Sequence, residues 1–407
     1  MQQLLEKYAA LAVKIGMNVQ KGQKVLVRAS LETAEFVREI VKKAYEAGAK
    51  DVVVYWTDDA TTRIRYEMAP DEAFLEASDF YVKMHMDAVE ENWALLSVVA
   101  ANPDLLKGIP AERVATANKV MSTAMDGFRA AIQSDRISWS IVAVPSKAWS
   151  AKVFPELPEE EQMDALWKAI FKATRVDLKD PVSAWEKHIA ILEEKSAYLN
   201  EKSFHALHFQ APGTDLTVEL PEGHLWCAAG SINAKGDRFV ANMPTEEVFT
   251  MPARNGVNGV VSSTKPLSYA GNLIDNFSLT FENGRIVDYS AEEGYDTLKH
   301  LIETDEGSHY LGEVALVAHN SPISNSNLTF FNTLFDENAS VHLAIGSAYA
   351  FNMEGGKTMT KEELAAKGAN QSLTHVDFMI GSGEMDISAI DKNGKETPIF
   401  RSGDWAI

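Results

Sequence analysis

Apolar and polar positions alternate in two different ways along the chain, and the change comes near residue 200. At the start, Leu4, Tyr8, Leu11 and Ile15 recur at helical spacing, predicting an amphipathic first helix. Lys24 to Arg28 (K-V-L-V-R) predicts a short strand. Glu35 to Ala47 has helical period and stops at Gly48, a suitable C′ glycine. Asp51 to Trp56 (D-V-V-V-Y-W) is rich in β-branched and aromatic residues and predicts a second strand. Strand, helix, strand is a βαβ unit and implies parallel pairing. Ala94 to Ala100 and Ser138 to Val144 predict further strands. Between them Val114, Ala117, Met121, Ala124 and Phe128 step by three or four residues, as in one helix. Helices are expected over Pro158 to Thr174 and Pro181 to Tyr198, the second capped by Asp180 with proline at its first position.

Beyond Asn200 the pattern turns to strands. Phe204 to Phe209 and Leu216 to Leu220 are strand-like, followed by a turn at Pro221-Glu222-Gly223. Leu279 to Tyr289 contains Asn283-Gly284, a strong hairpin signal. The expected fold is therefore an α/β N-terminal domain, small, doubly wound and largely parallel. It is followed by an α+β C-terminal domain rich in antiparallel β that carries the candidate metal site. The boundary is placed near residues 190–205, giving domains 1–195 and 196–407. There are no internal repeats and no low-complexity segment.

Composition narrows the classes. The chain has 407 residues, 46% hydrophobic and 24% charged, as expected of a soluble globular protein of two or three domains. No stretch approaches the ~18 apolar residues of a membrane span. The apolar start holds Glu6 and Lys7 and lacks a basic leader, so it does not read as a signal peptide. Cys227 is the only cysteine, which precludes an intrachain disulfide and fits a reducing cytoplasm. Its apolar setting, Leu225-Trp226-Cys227-Ala228, predicts a buried thiol. Net charge is −20, with 25 basic and 30 acidic residues in 1–200 and 13 and 28 in 201–407. Nucleic acid is a poor partner for such a surface. The acidic excess reads either as solubility or, in part, as charge neutralised by bound cations.

Several chemistries fail on their motifs. No G-x-G-x-x-G follows the first strand and no P-loop occurs, so a nucleotide site is not indicated. H-E-x-x-H and G-x-S-x-G are absent. Four clusters do carry ligand-type residues: Asn242 to Glu247 (N-M-P-T-E-E), Gly312 to Val317 (G-E-V-A-L-V), Asp336 to His342 (D-E-N-A-S-V-H) and His375 to Gly381 (H-V-D-F-M-I-G). Carboxylate plus imidazole is the donor set of a hydrolytic divalent metal. His375 and Asp377 are two apart, so on a strand they share a face. A bend between Glu337 and His342 would bring those two together. Glu313 sits in an apolar run, where a carboxylate is costly unless paired or metal-bound. Each has another reading. Glu246-Glu247 could open a helix, Glu313 could end a strand at the surface, and the histidines could be satisfied core residues.

The segments N-M-P-T-E-E-V-F-T, G-E-V-A-L-V, S-P-I-S-N-S, N-T-L-F-D-E-N-A-S-V-H-L-A-I-G-S-A-Y and H-V-D-F-M-I-G resemble the aminopeptidase T/AmpS/PepS family of metallopeptidases. The resemblance extends to L-E-K-Y-A near the start and V-V-V-Y-W-T-D-D at Val52 to Asp59. It implies metal ligands at Glu247, Glu313, Glu337, His342, His375 and Asp377, and a functional tyrosine at Tyr349. His319 has no counterpart among that family's ligands. The family likeness implies two divalent ions, Zn²⁺ or Co²⁺, and a homodimer. The implied activity is removal of N-terminal residues from short peptides with a free N-terminus, by metal-activated water. The adjacent Glu246 would point away from Glu247 in an extended segment, either supporting the ligands or serving as general base. The alternatives are a dinuclear amidohydrolase or phosphoesterase, or a cation-stabilised binding protein.

Overall fold

The structure is a computed structural model and describes residues 1–100, 102, 105–269 and 272–407. The chain divides into two compact units. One comprises Met1–Lys187 with Gly230–Met243, the other His188–Ala229 with Pro244–Ile407.

The first unit is built on a parallel sheet of β1 (Lys24–Ser30), β2 (Asp51–Thr57), β3 (Ala94–Val99), β4 (Trp139–Ala143) and β9 (Asn242–Met243). Its strand order is β2-β1-β3-β4-β9. Parallel strands are covered on both faces, which explains their apolar runs. Leu26 and Leu95 pack with Ala88, Val89 and Phe128, while Val25 and Val27, which alternate to the other face, are also buried. The first helix, Gln2–Leu11, buries Leu5, Tyr8 and Leu11, and Tyr8 stacks on Phe36 of the helix Ala34–Glu46. That second helix ends as expected, with Gly48 at φ +96°. The segment expected as one helix through Phe128 is two, Ala111–Ala124 and Asp126–Gln133, divided at Met125. Periodicity cannot register such a break, because the phase of apolar positions nearly carries across one non-helical residue. The two-residue strand β9 adds a late segment to the parallel sheet, and nothing in its local sequence signals that. A small hairpin, β7 (Gly230–Ile232) with β8 (Arg238–Val240), precedes it.

Earlier in the chain than that hairpin lies the helix Pro181–Lys202, with the Ser183 N–H donated to Asp180 Oδ1 at 3.2 Å. The second unit holds two antiparallel sheets. The larger contains β5 (Ala206–Ala211), β6 (Thr214–Glu219), β11 (Val257–Ser262), β12 (Leu267–Tyr269), β13 (Asn272–Glu282), β14 (Arg285–Glu293), β18 (Asp386–Ile390), β19 (Glu396–Arg401) and β20 (Asp404–Trp405). Its β13–β14 hairpin turns on Asn283 and Gly284, at φ +50° and +84°, the left-handed pair that Asn-Gly favours. The smaller sheet has the order β10 (Glu247–Thr250), β15 (Leu311–Val317), β16 (His342–Gly346), β17 (His375–Met379). The two sheets share one apolar core. Leu207, Phe209, Leu216 and Val218 of the larger meet Val248, Val314, Leu316, Leu343, Ile345 and Phe378 of the smaller. Cys227 is half-buried rather than buried, because its segment forms an isolated bridge with Phe249 at the edge strand β10.

One irregularity in the smaller sheet bears on the site. Leu311 and Glu313 are two apart and would ordinarily face the same way. The β15–β16 register shifts between them: Leu311 pairs with Ile345, and Glu313 with Ala344. This bulge sends Leu311 into the core and Glu313 to the opposite face. Gly312 occupies the bulge, where a side-chain carbon would run into the carbonyl oxygens of Gly346 and Ser347. Gly312→Ala is therefore expected to destabilise the fold by about 1–3 kcal/mol. Urea denaturation measures this, and a variant as stable as its parent would show that the bulge tolerates a Cβ.

Candidate metal centre

The smaller sheet brings five of the predicted residues onto one face. Glu313 pairs across Ala344 with Asp377, so the two carboxylates flank a small residue. Two residues along β16 is His342, and two along β17 is His375, paired with Gly346. His342 pairs with Ala315, which pairs with Phe249, and Glu247 lies two residues from Phe249. The alternation therefore puts Glu247, Glu313, His342, His375 and Asp377 on the face away from the core. Small side chains at Ala315, Ala344 and Gly346 leave room above the sheet.

Glu337 comes from a turn instead. It follows the short helix Thr333–Asp336. Asp336 shapes that turn: its carboxylate accepts the N–H groups of Phe330 (2.7 Å) and Asn332 (2.9 Å). Asn338, fully buried, joins the turn to β10. Its Oδ1 accepts the Glu246 N–H at 2.7 Å, and its Nδ2 lies 3.4 Å from Glu337 Oε1. This buried asparagine was not singled out from sequence. Its only signal is a polar residue between two ligand candidates.

The donor atoms converge in two triads. Glu247, Glu313 and His342 form one, and Glu313, His375 and Asp377 form the other, with the atoms of each within 4.8 Å of one another. Glu313 belongs to both. Its Oε1 lies 3.6 Å from His342 Nε2 and its Oε2 lies 3.5 Å from His375 Nε2. His375 Nε2 is also 3.5 Å from Asp377 Oδ1.

Both imidazoles are oriented by main-chain carbonyls. His342 Nδ1–H donates to Ser340 O at 3.1 Å, and His375 Nδ1–H donates to Ser347 O at 2.7 Å. A carbonyl only accepts, so Nδ1 carries a proton and Nε2 is the nitrogen turned to the carboxylates, the one left to bind a metal once its own proton is displaced. His342 Nε2 and Asp377 Oδ1 are buried without a hydrogen-bond partner. His342 Nε2 lies 3.1 Å from Glu247 Oε2, an ion-pair distance for the protonated ring of the metal-free protein. Ligand-type atoms converging on a common space, with the outer nitrogens of both rings already tied, fit a divalent cation.

The electrostatics agree. Burial and then the surrounding acids push Glu313 up to about 7. Burial, then Asp377 and Glu247, push Glu337 well above the carboxylate range. Burial alone would lower the histidines, but neighbouring carboxylates outweigh it. Glu247 and Glu313 hold His342 well up, and Asp377 and Glu313 lift His375 to about 9. Asp377 moves the other way: burial would raise it, but His375 and His342 bring it below the usual value. Four carboxyl groups face two imidazoles in a poorly solvated place, and without a metal the excess negative charge is met by protons held on Glu313 and Glu337.

The remaining predicted residues fall around this centre. Tyr349 lies in the loop after β16, with its ring 4.6 Å from that of His375 and stacked at 5.1 Å on Phe351. Burial and then the charges of Glu313 and Asp377 keep its phenol well above its ordinary value. Glu246, buried, lies outside both triads, with Oε2 3.5 Å from His188 Nε2. His319 lies outside them too, 3.4 Å from Ser324 Oγ.

A sheet face carrying imidazoles and carboxylates in two linked triads is the equipment of a metallohydrolase. The chain belongs to the thermophilic metalloprotease (M29) family, whose model matches residues 1–405. It is 59% identical to aminopeptidase AmpS of Bacillus subtilis over 404 residues, covering 99% of this chain and 98% of that one. Identity to aminopeptidase T of Thermus aquaticus is 46%, over 99% and 98% of the two chains. The fold superposes on wild-type AmpT from Thermus thermophilus with a TM-score of 0.94 at 43% identity, covering all of both chains.

Metal-free protein should lose stability as pH rises. Between its ordinary 4.5 and about 7, Glu313 holds a proton in the folded state that the unfolded chain has released. Its contribution is thus complete below 4.5 and declines as pH climbs to 7. His375 does the same between 6.5 and about 9. Asp377 opposes this only in acid, below 3.8. Urea midpoints in chelator should fall between about pH 5 and about pH 9. A midpoint that rises over that range would contradict the charge balance described.

Proposed function

We propose that this protein is a metal-dependent aminopeptidase that releases N-terminal residues from short peptides at a dinuclear centre. Glu247, Glu313, Glu337, His342, His375 and Asp377 would hold two divalent ions. The observation that carries this reading is the double role of Glu313, which offers one oxygen to each triad. That is how a carboxylate bridges two ions. A set of two imidazoles and four carboxylates suits Zn²⁺ or Co²⁺. Such ions, when bound, act as Lewis acids and lower the pKa of water towards neutrality.

The chain's own residues supply the rest. Tyr349 stays protonated because burial and nearby carboxylates disfavour the phenolate. It is thus a neutral donor for the oxyanion that forms when the scissile carbonyl becomes tetrahedral. Its stacking on Phe351 fixes the ring's plane. A free α-amino group, unlike an acylated one, would keep a nitrogen lone pair able to ligate one of the ions, which favours free over blocked N-termini. Glu246 is assigned a supporting part, since it faces His188 and its N–H is held by Asn338 at the head of β10.

We further infer a catalytic second domain and a first domain that restricts access to short peptides within a homodimer. The relatives named as aminopeptidases support the activity, and the placing of both triads within the second unit supports its catalytic part. A cytoplasmic location suits the lone cysteine. No described helix is long and apolar enough to cross a membrane.

An amino-acyl p-nitroanilide should be cleaved, with loss of activity in chelator and recovery on adding Zn²⁺ or Co²⁺. The N-acetylated substrate should resist. Chelator-insensitive cleavage, or equal cleavage of both substrates, would sink the assignment. Tyr349→Phe should lower kcat by about 10²–10³ with metal content intact, and full activity in that variant would remove the tyrosine from the mechanism. Glu313→Gln should lose bound metal as well as activity, and retention of two ions by elemental analysis would contradict the bridge.

A further inference from the structure

The segment entering β17 is held by a residue that belongs to neither triad. Asp305 caps the turn Glu306–His309. A capping aspartate normally serves its own turn, by accepting one or two N–H groups. Asp305 does this and more. Its Oδ1 accepts the Ser308 N–H (2.8 Å), the Ser308 hydroxyl (3.0 Å) and the Ser372 hydroxyl (2.8 Å), and its Oδ2 accepts the Leu373 N–H (2.6 Å). Burial would raise this carboxyl, but the Leu373, Ser372 and Ser308 bonds together bring it below its ordinary value. Two of the four bonds therefore reach across more than sixty residues, to the strap that precedes His375.

The strap is tied again at both ends. The Ser308 and Ser372 hydroxyls each lie within hydrogen-bond reach of Thr374 Oγ1, at 3.0 and 3.1 Å. Asn370, fully buried, donates to Gly307 O at 2.8 Å and to Gly346 O at 2.6 Å. Gly307 sits so close to Gln371 that a Cβ there would meet the Gln371 carbonyl. Leu373, by contrast, is 87% exposed, so no apolar packing of its side chain holds this stretch. Its backbone position rests on the Asp305 carboxylate.

The strap leads straight to the site. Ser347 N–H donates to Thr374 O at 2.8 Å, and Ser347 O accepts His375 Nδ1–H at 2.7 Å. Thr374 thus places the carbonyl that aims the His375 imidazole. We infer that Asp305 is a positioning residue for His375: by fixing the 372–374 strap it sets the direction of the Nε2 lone pair, and hence the affinity of the second triad for metal. This rests on the metal reading above.

Partners that orient a ligating histidine are typically worth about 10–100-fold in metal affinity. Asp305→Ala should weaken binding of Zn²⁺ to the full-length protein by about 10-fold, read by equilibrium dialysis against metal buffers with elemental analysis. Raising the metal concentration should restore much of the lost activity. Ser372→Ala removes one strap bond while leaving the Asp305–Ser308 cap, and should show a smaller loss of affinity in the same direction. It decides the matter if Asp305→Ala does not fold. Unchanged metal affinity in the variant that folds, with only a lowered melting temperature, would reduce Asp305 to a structural cap and overturn the proposal. Wild-type protein that takes up no divalent metal would sink the metal reading itself, a distinct result seen before any variant is made.

Discussion

Crowded carboxylates on a sheet face shielded from solvent are the constraint on which the second unit depends. Glu247, Glu313, Glu337 and Asp377 repel one another, and two imidazoles offset at most part of that charge. Desolvating each ion costs several kcal/mol unless a counter-charge is supplied. The strands that impose this arrangement also carry its compensation. Val248, Val314, Leu316, Leu343, Ile345 and Phe378 project from the other face into the core, and each such side chain contributes about 1.5–3 kcal/mol on burial. The alternation of a β-strand thus couples an unfavourable face to a favourable one, residue by residue. Divalent cations remove the repulsion that remains, which makes metal binding and stability two views of one charge balance.

Direction matters as much as charge. A histidine binds metal through one nitrogen, and which one is settled by the hydrogen bond of the other. Here both Nδ1 atoms are committed to carbonyls close in the chain or in the sheet, Ser340 for His342 and Ser347 for His375. Five of the six proposed ligands come from strands, which hold side chains more rigidly than loops do. Glu337 is the exception, and it has the most elaborate support. Asp336 folds the turn ahead of it, and Asn338 ties the turn to β10. Loop-borne ligands need this kind of reinforcement because their backbone has no ladder of its own.

Parts of this were legible in the sequence. The βαβ start, the Asn283-Gly284 hairpin and the His375/Asp377 spacing are local patterns, and local patterns depend on neighbours in the chain. The grouping of Glu247, Glu313 and His342 was not local. It requires β10, β15 and β16 to pair in a register that no single strand encodes. Glu313 was the hardest case, because plain alternation from Leu311 gives it the wrong face. Only the bulge at Gly312 corrects that, and a glycine in a strand-like run is its one advance sign. The late strand β9 escaped for the same reason, since its pairing with β4 is not encoded locally, whereas the break at Met125 left the phase of the apolar positions almost unchanged. The family resemblance supplied the proposed ligand set ahead of the geometry, because motif identity stores the result of those long-range pairings.

The acidic excess of the second half can now be divided. Residues 201–407 hold 28 acidic side chains against 13 basic ones. Only four of the 28 belong to the two triads and Glu337. By number, then, most of the excess is general surface charge, and solubility accounts for it. By location the few outweigh the many. An exposed carboxylate is screened within a Debye length of about 8–10 Å, whereas the four at the site act on one another through a dry interior. The charge that two divalent cations would balance comes from these four, and net charge alone could not have identified them.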